Sequence, residues 1–270
     1  MGWLGHEDIR AKDGTRLALF KAKDPESPKG DIILVHGFAD HMGRYSHVAD
    51  AFVAAGWRVR GIDLRGHGVS DGKRGFVRQW SDYGDDLLAA IARSPTEPFV
   101  ISHSMGGLVL LDLLREQRIR GAVISSPLLR AIVDAPRWKT ASAGLLSKIL
   151  PSLSMGNELH PEAVSRDPGT QKAYGSDPLV FHSVTPRWYI EMLEAQRRVI
   201  AHSTKFTTPA LLMVGTGEKI VDPKPIEQLA REWGGPAELR SWDGLYHELF
   251  NEPERADVLA HVSGWLSKAI

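Results

Sequence analysis

The sequence predicts an α/β fold: a mostly parallel central sheet, helices on both faces, and an inserted, mainly helical segment. Three observations carry that expectation. Short apolar runs alternate with stretches of helical periodicity from residue 31 to residue 125. The apolar runs are continuous, as strands buried on both faces require. The rhythm stops after residue 126 and resumes near residue 210.

The elements follow in order. The opening residues read as a polar strand, a turn at Asp13-Gly14, and a second strand through Leu17, Leu19 and Lys21. An Asp-Gly turn between alternating segments is a hairpin signal. A loop with two prolines spans 23–30, and 31–36 (DIILVH) is a buried strand. Val48, Phe52 and Val53 give 45–55 a helical spacing that Gly56 ends. A strand is expected over 57–63, a helix over 80–93, a strand over 99–102, a helix over 105–116 and a strand over 119–125. After the interruption come a strand at 210–215 (ALLMVG), a helix over 225–233, a strand near 237–242 and a last helix over 253–268. The core is therefore assigned to 1–126 and 206–270, and 127–205 to an insertion. Insertions of this length in such sheets are usually functional lids or substrate domains.

Composition narrows the function classes. The chain has 270 residues, 43% of them hydrophobic, which supplies a sizeable core. Thirty-three basic residues balance thirty-three acidic ones. That balance argues against nucleic-acid binding by bulk electrostatics. Cysteine is absent, which removes disulfides, a thiol nucleophile and thiolate metal sites. The first residues carry charges and have no apolar stretch of the secretory kind, and no run approaches the ~18 apolar residues of a membrane span. A soluble, cytoplasmic protein is expected, with peripheral contact to lipid left open. No phosphate-cradling glycine loop or nucleotide fingerprint is present, so no cofactor is expected. The histidines are scattered, and His247-Glu248 lacks the second histidine of H-E-x-x-H, so no metal is expected either.

Chemistry enters at residues 99–111, FVISHSMGGLVLL. An apolar strand runs through Ser102-His103-Ser104-Met105-Gly106 directly into a helix. This is the setting of a nucleophile elbow, G-x-S-x-G, with Ser102 in place of the first glycine. A sharp strand-to-helix turn lifts the Ser104 oxygen clear of the sheet. The helix start offers free N–H groups and positive dipole to a developing oxyanion. In this arrangement the chain order is serine, acid, histidine. His247, on the late loop 244–250 (GLYHELF), stands where the base belongs; His67 comes too early and His261 sits inside a helix pattern. The acid belongs after ALLMVG, in 215–223 (GTGEKIVDP), where Glu218 and Asp222 are the candidates, Asp222 being equally suited to capping the next helix. The loop 63–70 (DLRGHGVS) reads as structural.

With these residues in hand, the chain resembles an α/β-hydrolase of the monoacylglycerol lipase group, which also includes lysophospholipase-like esterases. The resemblance covers nearly the whole chain. It rests on 36–45 (HGFADHMGRY), 126–128 (SPL), 150–156 (LPSLSMG), 174–179 (YGSDPL) and 246–253 (YHELFNEP). It implies an oxyanion hole from the backbone N–H groups of Phe38 and Met105, and it favours Glu218 over Asp222 as the acid, because Glu218 matches the first aspartate of the family's Gly-x-x-Asp-x-x-Val-Asp pattern. It also implies that Asp40, Arg44 and Tyr174 bind substrate at the head-group end. Phe250 stands where the mammalian enzyme has a histidine, a departure at that end.

The expected activity is hydrolysis of a monoacylglycerol through an acyl-enzyme, with a lysophospholipase or a short-chain carboxylesterase as alternatives. A catalytically dead binding module on the same fold is the reading from another class. Dehalogenases and epoxide hydrolases on such a fold need a carboxylate nucleophile, which Ser104 argues against. A peptidase would call for an acidic cluster in the insertion, where Asp134, Glu158, Glu162 and Asp167 are only scattered. The substrate class is thus a small-molecule or lipid ester; the oligomeric state is not legible. A neutral histidine base predicts activity rising with pH through about 6 to 7. In the insertion, Leu145, Leu146, Ile149, Leu150 and Leu153 share a helical stripe. It would pack on the core, line an acyl tunnel or lie on lipid.

Overall fold

The computed structural model describes residues 2–132 and 137–269, without the side chains of 137–141. Asp134 therefore lies outside the described residues. Among the described residues eight strands form one sheet: β1 (Trp3–Arg10), β2 (Arg16–Ala22), β3 (Asp31–Val35), β4 (Arg58–Asp63), β5 (Phe99–His103), β6 (Gly121–Ser125), β9 (Ala210–Gly215) and β10 (Ala237–Trp242). Their order is β1-β2-β4-β3-β5-β6-β9-β10. The hairpin β1–β2 is antiparallel, as is β2 against β4. From β4 to β10 every pairing is parallel.

Consecutive side chains of the central strands enter two different cores. Ile33 and Val35 face one with α2 (Ser81–Ile91), α3 (Met105–Leu113) and α8 (Pro223–Glu232). Ile32 and Leu34 face the other with α1 (Ser46–Ala54) and α9 (Arg255–Lys268). Both faces are buried, which is why the strands read as continuous apolar runs.

This order positions the site. The chain leaves β3 to form β4 on one side, then returns to place β5 on the other. Loops after β3 and β5 therefore diverge at a topological switch point, where open α/β sheets bind ligands. Val35 pairs with Ser102, so the residues that follow each strand end side by side.

Between β6 and β9 the described residues form α4 (Arg137–Ile149), α5 (Pro161–Val164), α6 (Pro168–Ser176), α7 (Pro186–Ala201) and a small hairpin of β7 (Met155–Gly156) and β8 (Ser183–Val184). The stripe on α4 does not pack inward. Leu145 and Ile149 are 63% and 64% exposed, and Leu150 and Leu153 are exposed beyond the helix. Ala143 and Ser147 make the buried face instead. The inward-facing helix of the insertion is α7, whose Trp188, Met192, Ala195 and Val199 join the core beside α3.

Candidate active site

Ser104 sits between β5 and α3 with φ +52° and ψ −114°. A non-glycine residue rarely adopts that region, at a cost of about 1–3 kcal/mol. Its surroundings hold it there. Ser104 N–H donates to Ser125 O at 2.9 Å, and Leu128 N–H donates to Ser104 O at 3.0 Å. Gly106 permits the turn to close, since a Cβ there would lie 2.5 Å from His36 O. We expect Gly106→Ala to destabilise the fold by about 1–3 kcal/mol through this overlap, read as a lower urea midpoint with an unchanged slope. Ser102 takes the place of the first glycine without strain: it is buried in the strand and donates to Val123 O at 3.3 Å.

Ser104 Oγ lies 2.9 Å from His247 Nε2, and His247 Nδ1 lies 2.8 Å from Glu218 Oε2. Three residues from three separate loops thus form one hydrogen-bonded chain. The acid and base loops are joined by Gly217 N–H donating to Leu245 O at 3.0 Å. Glu218 Oε1 accepts from the N–H groups of Lys219 and Ile220, both at 2.8 Å. One carboxylate oxygen therefore anchors the side chain while the other faces the ring. The longer glutamate side chain spans the gap without displacing the loop contact.

Burial, the largest influence on His247, opposes its charged form. The charge of Glu218 and the hydrogen bond it accepts outweigh that, so the pKa lies above the ordinary histidine value. Burial also pushes the Glu218 carboxyl upward, but the His247 charge, its ring N–H and the backbone donors win, and Glu218 lies below the usual glutamate range. The expected acid limb therefore moves above the ordinary histidine range.

Asp222 is not part of this chain. Its Oδ1 accepts from Lys224 N–H at 2.9 Å, capping α8, and its other oxygen pairs with Arg130. The alternative assignment of the acid is corrected on that ground. Asp222→Ala should leave kcat within about twofold and lower stability by about 1 kcal/mol, the usual cost of a lost cap.

Gly37 brings the loop after β3 against the elbow: a Cβ there would lie 3.2 Å from Ser104 Cβ. His36 fixes that loop, with Nδ1 2.7 Å from Gly37 O and Nε2 accepting from Leu64 N–H at 3.1 Å. Phe38 follows, its ring 4.1 Å from that of Trp188. Met105 is the first residue of α3, so its N–H has no partner one turn back in the helix. His67 is fully buried, with Nδ1 2.9 Å from Arg65 O, and burial followed by the His36 charge holds its pKa well below normal. It is part of the structural loop and distant in role from the base.

Asp40, Arg44 and Tyr174, the residues expected at a head-group end, form a second cluster. Asp40 accepts from Arg44 Nη1 and His41 N–H, both at 2.8 Å, and from Tyr45 OH at 2.8 Å. Arg44 also makes a two-point contact with Glu248, at 2.8 and 2.7 Å, and lies 4.9 Å from the Tyr174 ring centre. Burial works against the Asp40 carboxylate, but Arg44 and the hydrogen bonds hold its pKa well below the usual range. A cavity of about 420 Å³ opens above Ser104 and His247. Asp40, Tyr174 and Glu248 line it at one end; Leu159, Trp188, Tyr189, Met192 and Leu193 form an apolar wall. The Arg44 guanidinium is taken up by the two carboxylates. Glu248 escaped the sequence reading, where it served only to dismiss a metal motif. Its partner lies 204 positions away. The available signal was a carboxylate directly beside the base.

Similarity to known proteins follows this geometry. A family model described as serine aminopeptidase, S33, matches residues 26–254. The chain belongs to this family of α/β-hydrolases. It is 35% identical over 265 residues to a monoacylglycerol lipase of Mycolicibacterium smegmatis, covering 94% of this chain and 93% of that one. It is 32% identical over 245 residues to the phospholipase YtpA of Bacillus subtilis, covering 86% and 93%. The crystal structure of the Paleococcus ferrophilus monoacylglycerol lipase superimposes with a TM-score of 0.86 at 31% identity, covering 93% of this chain and 99% of that one. The protein is thus monoacylglycerol lipase-like, a serine hydrolase of the carboxylic-ester class.

Proposed function

We propose that the protein cleaves monoacylglycerols to a fatty acid and glycerol through an acyl-enzyme on Ser104. The observation that carries this is the Ser104–His247–Glu218 chain opening into a cavity with one apolar wall and one polar end. His247 Nε2 takes the proton of Ser104 as Oγ attacks the ester carbonyl. The N–H groups of Phe38 and Met105 stabilise the oxyanion. His247 then gives that proton to the departing alcohol, and afterwards takes one from the water that releases the acid. Glu218 holds the ring tautomer and balances the imidazolium. The acyl chain lies along α7, and Asp40, Glu248 and Tyr174 meet the alcohol.

In this reading residues 127–205 act as the cap, and its apolar outer face meets lipid. Among the described residues no helix is long and apolar enough to cross a membrane. Leu145, Ile149, Leu150 and Leu153 instead form an exposed face suited to shallow contact. Replacing Leu145 and Ile149 together by glutamate should lower turnover of vesicle-borne monooleoylglycerol several-fold, and leave hydrolysis of dissolved p-nitrophenyl butyrate unchanged. Equal effects on both substrates would contradict lipid contact.

The test of function is hydrolysis of 1-monooleoylglycerol, a lysophospholipid and p-nitrophenyl butyrate, with Ser104→Ala as control. Fast, Ser104-dependent release from the monoglyceride is expected. Activity confined to the short ester would reduce the protein to a general esterase. Activity on none by a folded protein would favour a non-catalytic module.

A further inference from the structure

Asp40, Glu248 and Tyr174 are polar side chains of the cavity wall that take no part in the Ser104–His247–Glu218 chain. All three are buried, at 2%, 4% and 2% exposure. The two carboxylates share a single guanidinium, Arg44, which does not line the cavity. Two negative charges against one positive leave this end with a net charge of −1.

Both carboxylates keep acceptor capacity. Glu248 Oε1 accepts from Arg44 Nη1, and Asp40 Oδ2 from Tyr45 OH. A carboxylate oxygen has room for about two such bonds. Tyr174 lines the same cavity. Among the described residues its hydroxyl has no hydrogen-bond partner. The position is set by the chain: Glu248 directly follows His247, and Asp40 lies two residues beyond Phe38. This end is therefore beside the reacting atoms.

We propose that Glu248, with Asp40, makes this end a net-anionic subsite for the leaving alcohol, one that admits neutral polyols and quaternary-ammonium alcohols and turns away alcohols bearing phosphate or sulfonate. The proposal rests on the ester-hydrolase reading above and assigns the selectivity of the same site. A polyol donates its hydroxyls to the free lone pairs of Glu248 and Asp40. A quaternary ammonium needs no donor and gains from the net charge. An anionic group meets acceptors where it needs donors, and the Arg44 guanidinium beside them is already engaged. Rejection by unpaired like charge is a recognised route to specificity.

The experiment uses three butyrate esters of 2-substituted ethanols. The substituent is tert-butyl, trimethylammonium or sulfonate, so that size is nearly constant and charge runs from neutral to positive to negative. On the wild-type protein kcat/KM should be highest for the ammonium ester and lowest for the sulfonate, with a ratio of about a hundredfold. Glu248→Gln should compress that ratio to about tenfold or less. A wild-type ratio near one, or a ratio that Glu248→Gln leaves unmoved, overturns the proposal. If Glu248→Gln fails to fold by circular dichroism, Asp40→Asn removes the other carboxylate and should compress the same ratio. The neutral ester separates the two levels of inference: no Ser104-dependent hydrolysis of it by folded wild-type protein defeats the ester-hydrolase reading itself, whereas its hydrolysis without charge discrimination defeats only the subsite.

Discussion

Replacing Ser104 by alanine should lower kcat for ester hydrolysis by about four to six orders of magnitude with the fold intact. The magnitude follows from the geometry. Ser104 Oγ is the one oxygen poised on His247 Nε2, at 2.9 Å, so its loss removes the acyl-transfer route and not a fraction of it. What remains is whatever the oxyanion donors and binding can do for water. Stability should change little, because alanine keeps the backbone contacts that hold φ +52° and loses no buried packing. Groups that act as one unit are strongly non-additive. The double change of Ser104 and His247 to alanine should therefore be no slower than Ser104→Ala alone. Steady-state rates over long incubations, beside a denaturation curve, check both parts. A Ser104→Ala protein retaining a tenth of the activity would move the nucleophile elsewhere.

Glu218→Gln should cost about three to four orders of magnitude in kcat. Its second consequence is more diagnostic. His247 must be neutral to accept the serine proton, so activity rises as pH passes upward through its pKa. Glu218 holds that pKa above about 6.5, the ordinary histidine value. The wild-type acid limb should accordingly lie above 6.5, and activity should be lost as pH falls through it. Without the carboxylate charge, burial is left nearly unopposed, and burial disfavours the imidazolium. The limb of Glu218→Gln should then move to lower pH even as the plateau falls. A role limited to holding the loop would lower the plateau and leave the limb in place. A limb that does not move would contradict the electrostatic role.

The same change bears on folding. A Glu218 pKa below its unfolded value contributes stability at neutral pH. That contribution is lost only as pH falls below about 4.5, the ordinary glutamate value, through the folded value, whereas Glu218→Gln should lose stability nearer neutrality, where His247 of the unfolded chain charges and the buried ring does not.

Local patterns made much of this site legible. Strand, sharp turn and helix are contiguous at residues 99–111, so Ser104 could be placed from sequence. The chain order of the fold then directed attention to Glu218 and His247. The parallel sheet was legible because both of its faces are buried, which leaves uninterrupted apolar runs. The two-residue strands β7 and β8 left no pattern to read. Pairings between distant residues were also hidden. Nothing near Arg44 announces that Glu248, 204 residues on, will take up its charge. Nor does periodicity say what an apolar stripe will face. The stripe on α4 and the inner face of α7 look alike in sequence, yet one is exposed and the other closes the cavity. That choice belongs to the tertiary arrangement. Asp222 shows the opposite case: two chemically similar acids stood four residues apart, and the backbone decided, because only Glu218 shares its loop contact with the base loop while Asp222 begins α8.

The central claim is that Ser104 is the nucleophile of an acyl-transfer site. The most direct measurement is reaction with a fluorophosphonate, followed by peptide mass mapping and residual activity. The account predicts one adduct per chain, on Ser104, with activity lost in proportion and no labelling of Ser104→Ala. An adduct on another residue that tracks the loss of activity, or full activity after complete labelling of Ser104, would contradict it.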